Sequence, residues 1–286
     1  MENWIGWWQE LPGHISPNIF TLGAFQLRYY GLMYLAAFLV TYALVSYRLK
    51  REDFSYSAET IQDFFLWGIS GLIIGARLGY VLFYHPGYYL RHPLEIALPF
   101  DFSQGMRFVG ISGMSYHGGA LGIIIAALIF CRKRGINFWD LADLFCPVFP
   151  LGYTFGRIGN FINGELFGRA TTVPWGMFFP LAPDRGLRHP SQLYEAFFEG
   201  IALFLILWSL RKKRPFPGFH LALYIIGYGL IRFFIEFYRE PDFHLGFIWN
   251  TLSMGQILCI AMVITGMGLI IIAKRPGTVK IGRNTP

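Results

Sequence analysis

The chain has 286 residues, of which 54% are hydrophobic and 14% charged, with a formal net charge of +7. Soluble globular domains use about 25% charged residues, so the composition excludes one and points to an all-α integral membrane protein. Segments with strand-length alternation are missing, which excludes a β-barrel, and without a soluble domain the basic balance carries no expectation of nucleic-acid binding.

A bilayer crossing needs about 20 largely apolar residues, and about seven segments qualify: 30–46, 60–84, 113–130, 141–162, 191–210, 218–238 and 252–273. The connections at 47–59, 131–138 and 211–217 and the tail from 274 hold most of the lysines and arginines, among them Arg48, Lys50, Arg51, Arg132, Lys133 and Arg134. The longer alternate connections hold only Arg28, Arg91, Arg107, Arg169, Arg185 and Arg188. By the positive-inside rule the N-terminus is outside and the C-terminus cytoplasmic. The expected organisation is a single membrane-embedded domain over 1–286: an outer interfacial segment 1–29, a bundle 30–273 and a cytoplasmic tail 274–286. Outer connections 85–112 and 163–190, rich in aromatics, Gly and Pro, fold over the bundle.

In chain order, the start MENWIGWWQELPGH lacks a cationic region and a small-residue cleavage site, so it is not read as a signal peptide. Trp4, Trp7 and Trp8 suit an interfacial segment. RYYGLMY (Arg28–Tyr34) opens the first span; Tyr30 there reads as a belt aromatic on its residue type alone. In the second span, GISGLIIGARLGY places Gly68, Gly71, Gly75 and Gly79 on one face as a helix-packing surface, beside Arg77.

GISGMSYHGGALG (Gly110–Gly122) opens the third span. Gly118 and Gly119 are expected to clear space around His117, and an imidazole titrates where proton transfer at neutral pH is practical. His117 is equally open to a structural hydrogen-bonding role. Ser112 and His117 stand about 140° apart on a regular helix and cannot form a nucleophile–base pair.

The fourth span runs into GRIGNFINGELFGR (Gly156–Arg169), which puts Arg157, Asn160 and Gly164 on one face. The fifth opens with RHPSQLYE (Arg188–Glu195), where Ser191 reads as a helix cap and Tyr194 as a belt aromatic. In the sixth, Tyr228, Arg232, Glu236 and Arg239 fall within about 80° of one another. A charge within a span needs a partner or a task. Glu236 can neutralise Arg232 one turn away. Arg157, Arg232 and Arg239 against that one acid leave positive charge unmatched, which a bound anion would supply. Guanidinium offers a phosphodiester two parallel donors. Cys131, Cys146 and Cys259 lack metal-ligand spacing and read as small apolar fillers. No metal and no cofactor are expected.

Taken as an ordered set, RYYGLMY, GARLGYVLFY, SGMSYHGG, GRIGNFINGELFGR, RHPSQLYE and YGLIRFFIEFYREPD resemble the prolipoprotein diacylglyceryl transferases of bacterial inner membranes, over about Arg28 to Gln256. Where some relatives have a histidine before GLMY, this chain reads Arg28, Tyr29, Tyr30. The resemblance implies transfer of the diacylglyceryl group of phosphatidylglycerol to the lipobox cysteine of a prolipoprotein signal peptide, with glycerol phosphate released. It also implies that His117, Arg157, Arg232 and Tyr30 act in catalysis and that Asn160, Glu165 and Gly168 line the site. The stripe of Tyr228, Glu236 and Arg239 would complete the contacts to substrate. The site would open among membrane lipids toward the outer side. An anion channel lined by the same arginines and a lipid-binding scaffold without turnover are the alternatives.

Overall fold

The computed structural model describes residues 2–22, 25–98, 100–101, 107–108, 113–240, 247–248 and 252–273. Ser112 and the tail from 274 lie outside the described residues, as does much of the connection 85–112. The fold is mainly helical. Four helices are long and apolar enough to cross a membrane: Tyr29–Arg51, Ala58–Phe83, Ser191–Leu210 and Met254–Ala273. The chain divides into two compact units, 1–52 with 142–286, and 53–141.

The first unit opens with α1 (Glu2–His14) and a hairpin of β1 (Asn18–Leu22) and β2 (Phe25–Arg28), which leads directly into α2 (Tyr29–Arg51). The expectation for the three tryptophans separates here: Trp4 and Trp7 are 61% and 60% exposed, whereas Trp8 turns inward and donates its indole N–H to the Trp175 carbonyl at 3.0 Å. Its ring packs on a small core of Phe161, Met177 and Phe179. α1 is therefore docked on the protein by one indole while two face out.

The second unit carries α3 (Ala58–Phe83), the short α4 (Pro86–Arg91) and α5 (Leu94–Ala97), a two-residue pairing of β3 (Phe100–Asp101) with β4 (Arg107–Phe108), and α6 (Tyr116–Arg134). α3 and α6 meet through small residues. A Cβ added to Gly71, Gly75 or Gly79 would strike Gly122, Gly118 or Ala126, so the backbones touch as small-residue faces allow. Gly68 takes no part, having open space beside it. Gly118 and Gly119 also serve this packing, one on Gly75 and the other against Leu72. Arg77 is held by carbonyls, donating to Ile96 at 3.0 Å, to Gly113 at 3.3 Å and to Glu95, so it ties the 95–96 segment to its helix.

α7 (Phe138–Phe145) joins the units in sequence, and the first then continues with α8 (Phe149–Ile162), α9 (Ser191–Tyr194), a π-helix over Glu195–Ala202, α10 (Leu203–Leu210) and α11 (Phe219–Ile235). It closes with a two-residue pairing of β5 (Phe247–Ile248) with β6 (Leu252–Ser253), and α12 (Met254–Ala273). α2 packs on α8, α8 on the π-helix, and α11 on α12. At one end of this unit Arg48 is fully buried: it pairs with Glu52 at 2.7 Å and donates to the carbonyls of Asp143 at 2.9 Å and Arg211 at 3.3 Å. Asp143 accepts the N–H groups of Gly218 and His220, each at 2.8 Å, and so caps α11. Arg48, read from sequence as one of the loop cations, is a structural tie among α2, α7 and the turn before α11.

Candidate active site

The Tyr153 and Arg157 side chains come from α8, Glu195 and Glu199 from the π-helix, and Arg232 from α11. Arg157 Nε lies 2.7 Å from Glu195 Oε2 and donates to the Tyr153 hydroxyl at 2.6 Å. That hydroxyl donates in turn to Glu199. Arg232 Nη1 closes the circle, 3.2 Å from Glu195 Oε1 and 3.5 Å from Glu199 Oε1. The five side chains form one ring across three elements. Both glutamates are fully buried, while the two arginine side chains keep 12% and 14% of their surface exposed. The carboxylates stand behind and the guanidinium groups in front.

The π-helix packs closely on α8. Gly200 is pressed against α8: a Cβ there would collide with Thr154 Oγ1 and lie 3.0 Å from the threonine Cβ. Hydrogen bonds of i→i+5 type widen the turn, and the missing side chain lets it settle close enough for Glu195 to reach Arg157 and Glu199 to reach Tyr153 on α8.

Arg239 joins the ring from the C-terminal side of α11, 2.8 Å from Glu195 Oε1 and 3.7 Å from Glu236 Oε2. Glu236 also pairs with Arg232 Nε at 3.3 Å, the i,i+4 neutralisation expected from the stripe, and accepts Ser253 Oγ at 3.1 Å. This corrects the charge count made from sequence. Arg157, Arg232 and Arg239 face Glu195, Glu199 and Glu236, so the cations are matched. Their hydrogen bonding is not: Arg232 Nη1 and Arg239 Nε, with Glu199 Oε1 and Glu236 Oε2 opposite them, are buried without a hydrogen bond. Buried polar groups ordinarily find one; these four atoms are held instead by ion pairs of 3.2, 3.3, 3.5 and 3.7 Å.

The signature after Arg157 folds into a tight turn. Arg157 Nη1 donates to Asn160 Oδ1 at 3.3 Å, and Asn160 Nδ2 donates to Glu165 Oε1 at 2.9 Å. Gly164 and Leu166 take positive φ values of 67° and 58°, a conformation easy for glycine and strained for leucine. The RHPSQLYE segment holds that turn: Ser191 Oγ donates to the Leu166 carbonyl at 3.0 Å and Gln192 Nε2 to the Glu165 carbonyl at 2.6 Å. Ser191 is therefore a clamp on the turn rather than a helix cap, and Pro190 occupies the capping position. Tyr194 is likewise more than a belt aromatic, since its hydroxyl meets Trp175 Nε1 at 2.8 Å and His189 Nδ1 at 3.1 Å. Burial holds the His189 imidazole below the usual histidine range.

Gly168 is a packing residue of the site. A Cβ on it would meet the Tyr238 carbonyl and stand 2.8 Å from His189 Cβ. The close approach lets Arg169 N–H donate to the Tyr238 carbonyl at 2.9 Å and Arg169 Nε to the Arg239 carbonyl at 2.6 Å. Tyr30, in the first turn of α2, places its hydroxyl 3.0 Å from that of Tyr34 and its ring against Gly159, where a Cβ would lie 3.0 Å from Cδ2. Tyr228 packs edge-on against Tyr153, ring centroids 6.0 Å apart. A cleft of about 360 Å³ opens at the end of α8, lined by Pro12, Asn18, Arg28, Asn163, Glu165 and Leu181 among others. Glu165 thus connects the cleft to Asn160 and Arg157. His117 belongs to the other unit, exposed in the first turn of α6 behind the Ser115 cap. Among the described residues no cluster of His, Cys, Asp and Glu could hold a metal ion.

The sequence pattern of the family described as prolipoprotein diacylglyceryl transferase matches residues 17–272. A phosphatidylglycerol–prolipoprotein diacylglyceryl transferase of Chlorobaculum tepidum is 50% identical over 276 residues, 96% of each chain. A protein of the same name from Campylobacter hominis is 46% identical over 91% of each chain. One from Treponema denticola is 43% identical over 92% of this chain and 94% of its own.

Proposed function

Since the chain belongs to the prolipoprotein diacylglyceryl transferase family, we propose that its arginine–carboxylate ring is where the phosphate of the lipid donor is held. The activity is transfer of the diacylglyceryl group from phosphatidylglycerol to a prolipoprotein, the first step of lipoprotein maturation. In that reaction the acceptor thiol loses its proton and the sulfur forms a bond to a glyceryl carbon. The carbon–oxygen bond to phosphate breaks, and glycerol phosphate departs with the bonding pair. A proton acceptor for the thiol and cations on the departing phosphate are what the chemistry needs.

Arg157 and Arg232 take the phosphate, each with a two-donor fork. The observation that carries this is the open edge of the ring: the Arg157 and Arg232 side chains keep 12% and 14% of their surface exposed while Glu195 and Glu199, paired with them, are fully buried, so the face that a lipid can meet is cationic. Asn160 and Glu165 hold Arg157 in place, Tyr30 and Tyr228 border the lipid head, and Glu236, Arg239 and Gly168 fix the far wall. His117 receives the thiol proton or bonds the glycerol head; its part rests on the SGMSYHGG motif alone. The acceptor is the lipobox cysteine of a signal peptide. The protein crosses the bacterial inner membrane seven times as one catalytic domain, N-terminus outside and C-terminus cytoplasmic, with outer-side loops folded over the bundle and the site toward that side. Membership of a transferase family leaves the anion channel and the non-catalytic scaffold no part in this reading.

The purified protein, given phosphatidylglycerol and a lipobox peptide, should form a thioether-linked peptide and one glycerol phosphate per turnover. Diacylglycerol in place of the phospholipid, offering no phosphate to hold or expel, should give nothing. Product from diacylglycerol, or none from phosphatidylglycerol, would overturn the phosphate reading.

A further inference from the structure

Of the ring's five members, Glu195 bridges the two arginines directly, and Tyr153 and Glu199 have no part in holding the phosphate itself. Their placement gives them another. The Tyr153 hydroxyl accepts from Arg157 Nε at 2.6 Å and spends its own proton on Glu199, whose second oxygen faces Arg232 Nη1 at 3.5 Å. The two guanidinium groups are thus linked twice, once through Glu195 and once through the Tyr153–Glu199 pair, whose final link to Arg232 is an ion pair without a hydrogen bond. A single bridge between two planar cations leaves each free to swing about it; a second bridge fixes their relative pitch. The Tyr153 ring also lies under the Arg157 guanidinium, 4.7 Å from its centre, and stops it from tilting back. Glu199 is fully buried, whereas the Arg232 side chain it faces keeps 14% of its surface exposed.

We infer that Tyr153 and Glu199 are positioning residues for the phosphate clamp, setting the separation and orientation of Arg157 and Arg232 without touching the lipid. Their role presupposes that the arginines hold the phosphate. Pre-set donors act on charge as it develops without reorganising at the moment of reaction, so the pair should be felt in the handling of the lipid and not of the peptide.

Tyr153→Phe removes one bridge outright, and Glu199→Gln keeps an acceptor for the tyrosine while removing the charge that faces Arg232. Each should lower kcat/KM for phosphatidylglycerol by about tenfold to hundredfold, the factor carried by one hydrogen bond to a charged group, and leave KM for the lipobox peptide unchanged. Because the two are adjacent links of one bridge, the double variant should be no worse than the weaker single one. If Glu199→Gln does not fold, Tyr153→Phe carries the test; if neither folds, the pair is only a structural support and the inference fails. It fails also if folded variants handle the lipid normally, if the peptide KM rises instead, or if the losses multiply in the double variant. Arg157→Lys is measured beside them. Normal use of the lipid by that variant sinks the clamp reading itself, whereas a damaged Arg157→Lys beside intact Tyr153→Phe and Glu199→Gln sinks only the positioning role.

Discussion

Gly200 of the π-helix sits directly against Thr154 of α8, with no room for a side chain between them. Thr154 Oγ1 is bound at 3.2 Å to the Pro150 carbonyl and at 3.3 Å to that of Ala196, so it is not free to rotate away. Gly200→Ala should therefore push the π-helix off α8 and lengthen the Glu195–Arg157 pair. Loss of more than about tenfold in lipid turnover, with a lowered melting temperature, is the expected result, overpacking of this kind being destabilising as well. A Gly200→Ala protein of normal activity and stability would show that the close approach is not needed.

Arg157→Lys and Arg232→Lys should each lose most activity while the protein still folds, because lysine keeps the charge but not the fork. Arg77→Lys should be milder, since Arg77 donates to the carbonyls of Ile96 and Gly113 in a role a lysine partly fills. Turnover assays on the three purified proteins, with circular dichroism to check folding, decide the matter. A more severe loss at Arg77 would move the phosphate site into the other unit.

His117 is exposed at the start of α6. As the base for the acceptor thiol, its change to Gln should cut the rate by roughly a hundredfold or more, the share of a general base, and raising the pH should restore part of it as the peptide thiol ionises unaided. A His117→Gln protein whose rate does not respond to pH identifies a hydrogen-bonding role instead.

Cys131, Cys146 and Cys259 are all buried free thiols. A covalent diacylglyceryl intermediate on the enzyme would need one of them exposed and ionisable. The triple change Cys131→Ser, Cys146→Ala, Cys259→Ala should retain most activity, and a peptide with serine for its lipobox cysteine should remain unmodified. A lipid adduct found by mass spectrometry on any of the three, discharged when peptide is added, would show transfer through the enzyme.

Spacing made much of this site legible. Tyr228, Arg232, Glu236 and Arg239 follow a helical stripe, and Arg157 with Asn160 follows another; their side chains do meet. Glu195 and Glu199 were legible by the same rule and passed over. They are two acids four residues apart in the apolar run LYEAFFEGIALFL, where a charge needs a partner or a task. Counting them would have removed the excess positive charge inferred from sequence. Tyr153 carried no signal, since a tyrosine in a span resembles any belt aromatic until its hydroxyl is seen between Arg157 and Glu199. The π-helix was out of reach too: its Gly200 lies against Thr154 of another segment, and no periodicity within one segment records what another presses against it.

Seen from more than a few ångströms away, Arg157, Arg232 and Arg239 with Glu195, Glu199 and Glu236 form a neutral body. Without net charge such a cluster gathers anionic lipid only weakly from a distance, so on the phosphate reading lipids arrive by lateral diffusion and are sorted on contact, by the geometry of the forks. Turnover should then respond weakly to ionic strength, which screens exposed charges over about 8 Å at physiological salt. The same neutrality favours departure. When glycerol phosphate leaves, each guanidinium group has a resident carboxylate to return to, and the expelled anion is released into water by competition from within the protein.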